Sequence, residues 1–334
     1  MSVLVTGGAG YIGSHAVLDL LASGEDVVVI DNLTTGFDWA VASQAKFYKG
    51  DIADDELVSR LMREHKVDAV IHFAGSVIVP ESVADPLKYY LNNTAKSRAL
   101  IETSVRNGVK HIIFSSTAAV YGMPDTSPVN EDVLLKPMSP YGVSKLMTEW
   151  MLRDVAAAHP ITYAALRYFN VAGGDPKGRV GQSTANATHL IKVACQTALG
   201  SRSYIEIFGD DYPTPDGTCI RDYIHVSDLV AAHTVALAYL RKGAASLVAN
   251  CGYGHGFSVR DVLGAVERAA GHKFEVRQGP RRAGDPASVV SDPSLIKATL
   301  GWRPQLDDLD KIVAHAFAWE AMLAQKKGRD SKAR

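Results

Sequence analysis

The chain opens on a short β-branched run, SVLVTG (2–7). Apolar residues at helical spacing follow over His15–Ser23, up to a glycine at 24. This alternation recurs. DVVVID (26–31) predicts a second strand, DELVSRLMREH (55–65) an amphipathic helix, and DAVIHFAG (68–75) a buried strand. Thr94–Asn107 predicts a helix stopped by Gly108, and HIIFSS (111–116) predicts the strand after it. A helix opened at Tyr141 then leads to the strand ITYAALRYFN (161–170). Strand-length apolar runs separated by helices of roughly 10–15 residues imply right-handed crossovers. The expectation is an α/β fold: a doubly wound parallel sheet of Rossmann type over residues 1–169.

From residue 170 the pattern changes. Loops rich in glycine and proline separate shorter elements: VAGGDPKGRVGQ (171–182), GDDYPTPDGT (209–218), CGYGHGF (251–257) and GPRRAGDPAS (279–288). Residues 170–334 are expected to form a smaller, mixed α/β substrate-binding region. RDYIHVSDLVAAHTVALAYL (221–240) reads as strand and then helix, so about 219–240 is expected to pack back on the first domain.

With 334 residues and 47% apolar composition, the chain can bury one large core or two moderate ones. Its 35 basic and 36 acidic residues give a net charge of −1, which offers no general attraction to nucleic acid or anionic lipid. Three cysteines stand far apart, without a CxxC or a Cys/His cluster. Neither a disulfide framework nor a metal site is expected, and a reducing, cytoplasmic setting is. The first strand begins almost at Met1, leaving no room for a leader, and no apolar run reaches the ~18–20 residues that span a bilayer.

TGGAGYIGSH (6–15) joins the first strand to the first helix, with glycines at 7, 10 and 13. Gly7 suits a tight turn, Gly10 close approach of backbone to a pyrophosphate, and Gly13 close packing of helix on strand; the phosphates would sit at the helix N-terminus. Asp31 ends the second strand 18 residues after Gly13, placed to accept the adenosine ribose hydroxyls and to repel a 2′-phosphate. NAD is therefore expected rather than NADP. Asp51 and Ile52 of GDI, and Phe73, Ala74 and Gly75 of FAG, fall at the same carboxyl edge of the sheet.

SPYGVSKLMTEW (139–150) places Tyr141 and Lys145 one helical turn apart on one face. Upstream, Ser115, Ser116 and Thr117 bring hydroxyls to a strand end at the cofactor's edge. A phenol of pKa near 10 is a poor base; bringing it to about 7 takes roughly 4 kcal/mol, which an ammonium and an oxidised nicotinamide can supply. Tyr141 and Lys145 are the candidate acid–base pair.

TGGAGYIG, Thr117 and YGVSK together resemble the extended short-chain dehydrogenase/reductase family. FAG…ESV…PLKYYLNN, LRYFNVAGG, IFGDDYPTPDGTCIRDYIHVSDL and RRAGDPA narrow the resemblance to its UDP-glucose 4-epimerases, over nearly the whole chain. The resemblance implies a resident NAD⁺ that takes hydride from sugar C4 and returns it to the other face of the 4-keto sugar. Tyr141 is then the base and acid, Lys145 tunes it and holds the nicotinamide ribose, and Thr117 binds the sugar 4-oxygen. Gly7, Gly10, Tyr11, Ile12, Gly13, Asp31, Asn32, Asp51, Ile52, Phe73, Ala74, Gly75, Asn92, Ser115 and Tyr168 fall at cofactor positions. Asn170, His189, Leu190, Phe208, Arg221, Arg282, Asp285 and Val289 fall at UDP-sugar positions. Two arginines suit a diphosphate, and Phe208 a uracil pocket.

Two positions depart from the family's pattern: Val77 stands where a lysine usually follows FAG, and His189 where an asparagine is usual. The related 4,6-dehydratases carry an Asp-Glu pair after the strand-end threonine, and the UDP-glucuronate decarboxylases a glutamate in the same stretch. This chain has Ala118 and Ala119 there. A UDP-pentose 4-epimerase is the runner-up, and a regulatory NAD sensor is disfavoured by the intact Tyr–Lys pair. Val289 replaces the tyrosine that restricts the family's sugar pocket, which implies room for N-acetyl sugars. The resemblance also implies a homodimer through the helices beginning near Thr94 and Tyr141, with Leu146, Met147, Trp150 and Met151 as its apolar positions.

Overall fold

The computed structural model describes residues 1–185, 187–282 and 284–332, with side chains described as far as Lys326. Six strands come from the first half: β1 (Ser2–Thr6), β2 (Asp26–Asp31), β3 (Lys46–Lys49), β4 (Val67–His72), β5 (His111–Ser115) and β6 (Thr162–Tyr168). The second half supplies β7 (Asn170–Ala172), β8 (Ile205–Phe208), β9 (Ile220–Arg221), β10 (Tyr223–His225), β11 (Leu247–Cys251), β12 (Phe257–Ser258), β13 (Val276–Gly279) and β14 (Ser288–Val289). The main sheet has seven strands in the order β11-β6-β5-β4-β1-β2-β3, every pair parallel. The order reverses between β1 and β4, which opens the crevice where ligands of such sheets bind.

Period-two alternation divides the strands between two cores. Val3, Val5, Ile71, Ile113 and Leu166 face one side, with Val17 and Leu20 of α1 (Tyr11–Ala22). Leu4, Val70, Ile112, Phe114 and Ala165 face the other, with Leu61 of α2 (Asp55–Glu64). Helices α3 (Val79–Ala84) and α4 (Pro86–Tyr89) run into a π-helical stretch, Tyr90–Ala95, that continues as α5 (Lys96–Arg106). The helix expected from Thr94 thus begins earlier, because the π turn shifts the apolar period that marks a helix start. α6 (Pro140–Ala158) starts where Ser139 Oγ accepts the Gly142 amide at 3.2 Å, with Pro140 at its first position, and Leu100 of α5 and Leu152 of α6 join the second core.

The second half is built from small sheets: β7 with β10, β8 with β13, and β12-β9-β14. Its helices are α7 (Leu190–Ala198), α8 (Val226–Arg241), α9 (Val259–Ala270), α10 (Ser294–Leu300) and α11 (Leu309–Lys332). α8 packs against α1 and buries Leu229 and Leu237 in the first core. The return to the sheet runs past residue 240, since β11 pairs with β6 as the edge strand.

Candidate active site

At the β1/β4 crevice the chain turns so tightly that only glycine fits. Gly7 has φ +70°, and a Cβ there would lie 2.7 Å from the Ala74 nitrogen; a Cβ on Gly13 would lie 2.2 Å from the Gly7 carbonyl. β1, the head of α1 and the Phe73–Gly75 turn are therefore in backbone contact, which leaves the α1 N-terminus open as a phosphate cradle. Asp31 accepts the amides of Ala9 (3.0 Å) and Leu33 (2.8 Å), so the strand-end carboxylate is fixed beside the cradle. Burial pushes its pKa up while those amides oppose the shift. Asp51 and Asn32 lie together, with the Asp51 carboxylate 2.6 Å from the Lys96 amine. Burial would raise Asp51, but the Lys96 hydrogen bond and charge hold it below the usual carboxylate range. Lys96 was not predicted; 45 residues separate it from its partner, and no short-range spacing marks the pair.

Ile52 is buried beside this edge, Phe73 packs 4.9 Å from the His233 ring, and Ile12 lies against the first core. The Tyr11 hydroxyl donates to the Gly173 carbonyl (2.8 Å), tying the cradle to the second half. Asn92 donates to Ser76 Oγ at 3.1 Å, one residue past Gly75. These contacts gather the cofactor candidates along one edge. The residues fit a dinucleotide: a glycine cradle with no space for side chains, and a fixed carboxylate at the ribose end.

Tyr141 and Lys145 stand at the same edge, 7% and 4% exposed. Lys145 Nζ donates to the Ser115 carbonyl at 2.7 Å and sits 4.7 Å over the Phe114 ring. Ser115 Oγ and the Tyr168 hydroxyl share a hydrogen bond. The sequence implies that the ammonium and an oxidised nicotinamide together depress the phenol. In the chain alone, burial raises the Tyr141 pKa, and a hydrogen bond with Thr117 opposes that rise. The amine is committed to a backbone carbonyl, and burial lowers Lys145 itself to about 8.

The substrate candidates form two groups. Asn170, His189 and Leu190 line one cavity of about 40 Å³ together with Gly173 and Tyr223. His189 stands just before α7 without a side-chain capping bond, and its ring meets the Gln182 amide at 2.9 Å. In the second group Val289 is the register partner of Arg221 across the β14–β9 pair, and Arg221 lies 3.8 Å from Asp285. Arg282 stacks its guanidinium 3.7 Å over the Phe208 ring, covering the face expected to meet a base. Buried Asp222, absent from the sequence reading, fastens this group: it accepts the amides of Tyr253, Gly254 and Ser291 at 3.0–3.2 Å. Val77 is exposed, and among the described residues no His/Cys/Asp/Glu group is arranged to hold a metal.

A glycine cradle, a strand-end aspartate and a buried Tyr–Lys pair on a parallel sheet define a dinucleotide-dependent enzyme of the short-chain dehydrogenase/reductase class. The sequence matches the NAD dependent epimerase/dehydratase family over residues 3–252, and the chain belongs to that family. It is 54% identical to the UDP-glucose 4-epimerase of Azospirillum brasilense, over 98% of this chain and 94% of the relative. The crystal structure of UDP-glucose 4-epimerase from Brucella ovis in complex with NAD superposes with a TM-score of 0.93 at 43% identity, covering 95% of this chain and 97% of that one. The UDP-Glc/GlcNAc 4-epimerase from Campylobacter jejuni superposes with a TM-score of 0.85 at 48% identity, covering 96% and 99%.

Proposed function

We infer that the protein interconverts UDP-glucose and UDP-galactose by NAD-dependent epimerisation at sugar C4. The observation that carries this reading is the buried Tyr141–Lys145 pair at the edge of the glycine cradle, in a chain 54% identical to a UDP-glucose 4-epimerase. When bound, NAD supplies a reversible hydride acceptor and a positive ring beside the phenol. Tyr141 takes the C4 hydroxyl proton and returns it, Thr117 orients that oxygen, and Lys145 holds the cofactor ribose. Arg221 and Arg282 clamp the diphosphate; to do so, Arg282 swings off the Phe208 ring and frees it for the uracil. The division of labour is a cofactor domain, 1–169 with the returning segment, and a UDP-sugar region made by the rest of 170–334. Val289 is half-buried and much smaller than a tyrosine, which supports a second activity on UDP-N-acetylhexosamines.

A second copy is proposed against α5 and α6. Leu87 of α4, Leu91 of the π-helical stretch that leads into α5, and Trp150 of α6 are 77%, 55% and 45% exposed, which suits helix-on-helix burial. Leu146 takes no part, since it turns into a core with Val120 and Tyr121. Three free, buried cysteines suit a reducing cytoplasm. Incubation with UDP-galactose should yield UDP-glucose without added cofactor, and the denatured supernatant should contain NAD. A product lacking UDP-glucose, or NADP in the supernatant, would sink the assignment. Sedimentation showing monomer alone at micromolar concentration would remove the dimer.

A further inference from the structure

Beneath the site lies a buried ionic network that the reaction as described does not use. Glu149 is one helical turn beyond Lys145, so Tyr141, Lys145 and Glu149 form a ladder on one face of α6. Its carboxylate accepts from Arg167 Nη2 at 2.7 Å and Nε at 3.0 Å, and from Ser116 Oγ. The strands explain the placement. Along β5 and just beyond it, Ser115 and Thr117 are directed at the site and Ser116 at Glu149; on β6, Tyr168 is directed at the site and Arg167 at Glu149. Ser115, Thr117 and Tyr168 each have a chain neighbour bonded to this one carboxylate. The network continues: Arg167 Nη1 donates to the Tyr121 hydroxyl (3.0 Å), which donates to Asn250 (2.7 Å), and Asn250 donates to the Val129 carbonyl (2.8 Å). The Val129 amide donates to the carbonyl of Val290, the neighbour of Val289.

We infer that Glu149 is a positioning residue for the acid–base pair, clamping through Ser116 and Arg167 the two strand ends that present Ser115, Thr117 and Tyr168 to Tyr141 and Lys145. This rests on the assignment of Tyr141 and Lys145 as that pair. Glu149 has a second effect. The groups around Lys145 are Tyr141 and Glu149 on α6, His72 on β4, Phe114 and the Ser115 carbonyl on β5, and Arg167 and Tyr168 on β6. Burial lowers His72 to about 3, so it is neutral at working pH. Glu149 is the negative charge of the set and opposes the burial that lowers Lys145. Its loss leaves the Arg167 guanidinium unpaired nearby and makes Lys145 easier to deprotonate.

The test uses the full-length protein with its own NAD. Glu149→Gln is expected to lose roughly 10–100-fold in kcat for UDP-galactose, as outer-sphere partners of reacting groups typically do. KM, UDP binding and NAD content should hold, and the alkaline limb of the kcat–pH profile should move to lower pH. Because removing one partner of a buried ion pair can unfold a protein, Glu149→Gln/Arg167→Met removes both charges and is expected to fold. If the pair only supports the fold, this double variant regains parental kcat and an unshifted alkaline limb, which overturns the inference; a folded double variant with low kcat and a shifted limb supports it. Tyr141→Phe is run in parallel. Full activity there would bring down the acid–base assignment itself, whereas an inactive Tyr141→Phe beside an unaffected Glu149→Gln would bring down only the role of Glu149.

Discussion

The half proposed to hold the cofactor and the half proposed to hold the substrate position their candidate side chains by different means. In the first, seven parallel strands bring residues to one edge, and the decisive groups are held by backbone: Lys145 on the Ser115 carbonyl, Asp31 under two amides, Gly7 against Ala74. In the second, strands of two to four residues carry Arg221, Phe208 and Val289; Arg221 donates to the Ile220 carbonyl at 2.9 Å and lies 3.8 Å from Asp285, while Arg282 rests on the Phe208 ring. A backbone partner survives substitution of the residue that carries it, whereas the Asp285 carboxylate and the Phe208 ring do not. The groups proposed for the chemistry are thus held mainly by the frame, and those proposed for the sugar nucleotide lean more on replaceable side chains.

The strongest way to break this comparison is at the chemistry. Tyr141→Phe should lower turnover by roughly 10²–10⁴-fold while UDP binding, which draws on the other half, stays near parental. Loss of both together would show that the halves are not separable. Next, Gly13→Ala should destabilise the fold by ~1–3 kcal/mol, since the new Cβ meets the Gly7 carbonyl and neither backbone can yield. Thermal unfolding and the NAD content of the purified protein both report this, and unchanged values would mean the cradle has slack. Val289→Tyr probes the replaceable half. It should cut kcat/KM for UDP-N-acetylgalactosamine by roughly 10–100-fold relative to UDP-galactose, with stability unchanged. Wild-type protein inactive on the N-acetyl sugar would refute the role given to Val289.

The smallest expected effect is at the Lys96–Asp51 pair. Both side chains are partly exposed, so Lys96→Met should cost only ~0.2–1 kcal/mol, seen as a few-fold faster loss of NAD. The sign with pH follows from the depressed Asp51 carboxyl. Its contribution is complete above the ordinary carboxylate pKa and is lost as pH falls through the lower folded value. In the variant, NAD retention should therefore begin to fail at a higher pH on acidification; coincident acid profiles would show that the pair contributes nothing.

The sheet was legible because its strands are continuous apolar runs and its helices carry end signals, such as Ser139-Pro140 before Tyr141 and Gly108 after α5. The second half was less so. β8 and β13 pair Ile205 with Val276, a long-range match that no local period announces, and α7, α10 and α11 went unread among the loops. α9 did carry a readable mark, the capping box of Ser258 and Asp261 closed by Gly271 at φ +76°. At the site, residue types and spacing identified Tyr141, Lys145 and the glycines. They could not indicate that burial raises the phenol, because desolvation depends on everything packed around it. Glu149 could have been found by extending the Tyr141–Lys145 face one more turn.

β11 has one further consequence, for modularity. It is contributed from beyond residue 240, yet it seals the β6 edge of the sheet, while α8 roofs α1. A fragment ending at residue 169 would expose the open hydrogen-bonding edge of β6 and the apolar surface under α8, a template for strand addition between molecules. Residues 1–169 are therefore not a portable cassette. The sheet is completed by chain that lies beyond β7 to β10, so during synthesis it cannot close until those strands have emerged.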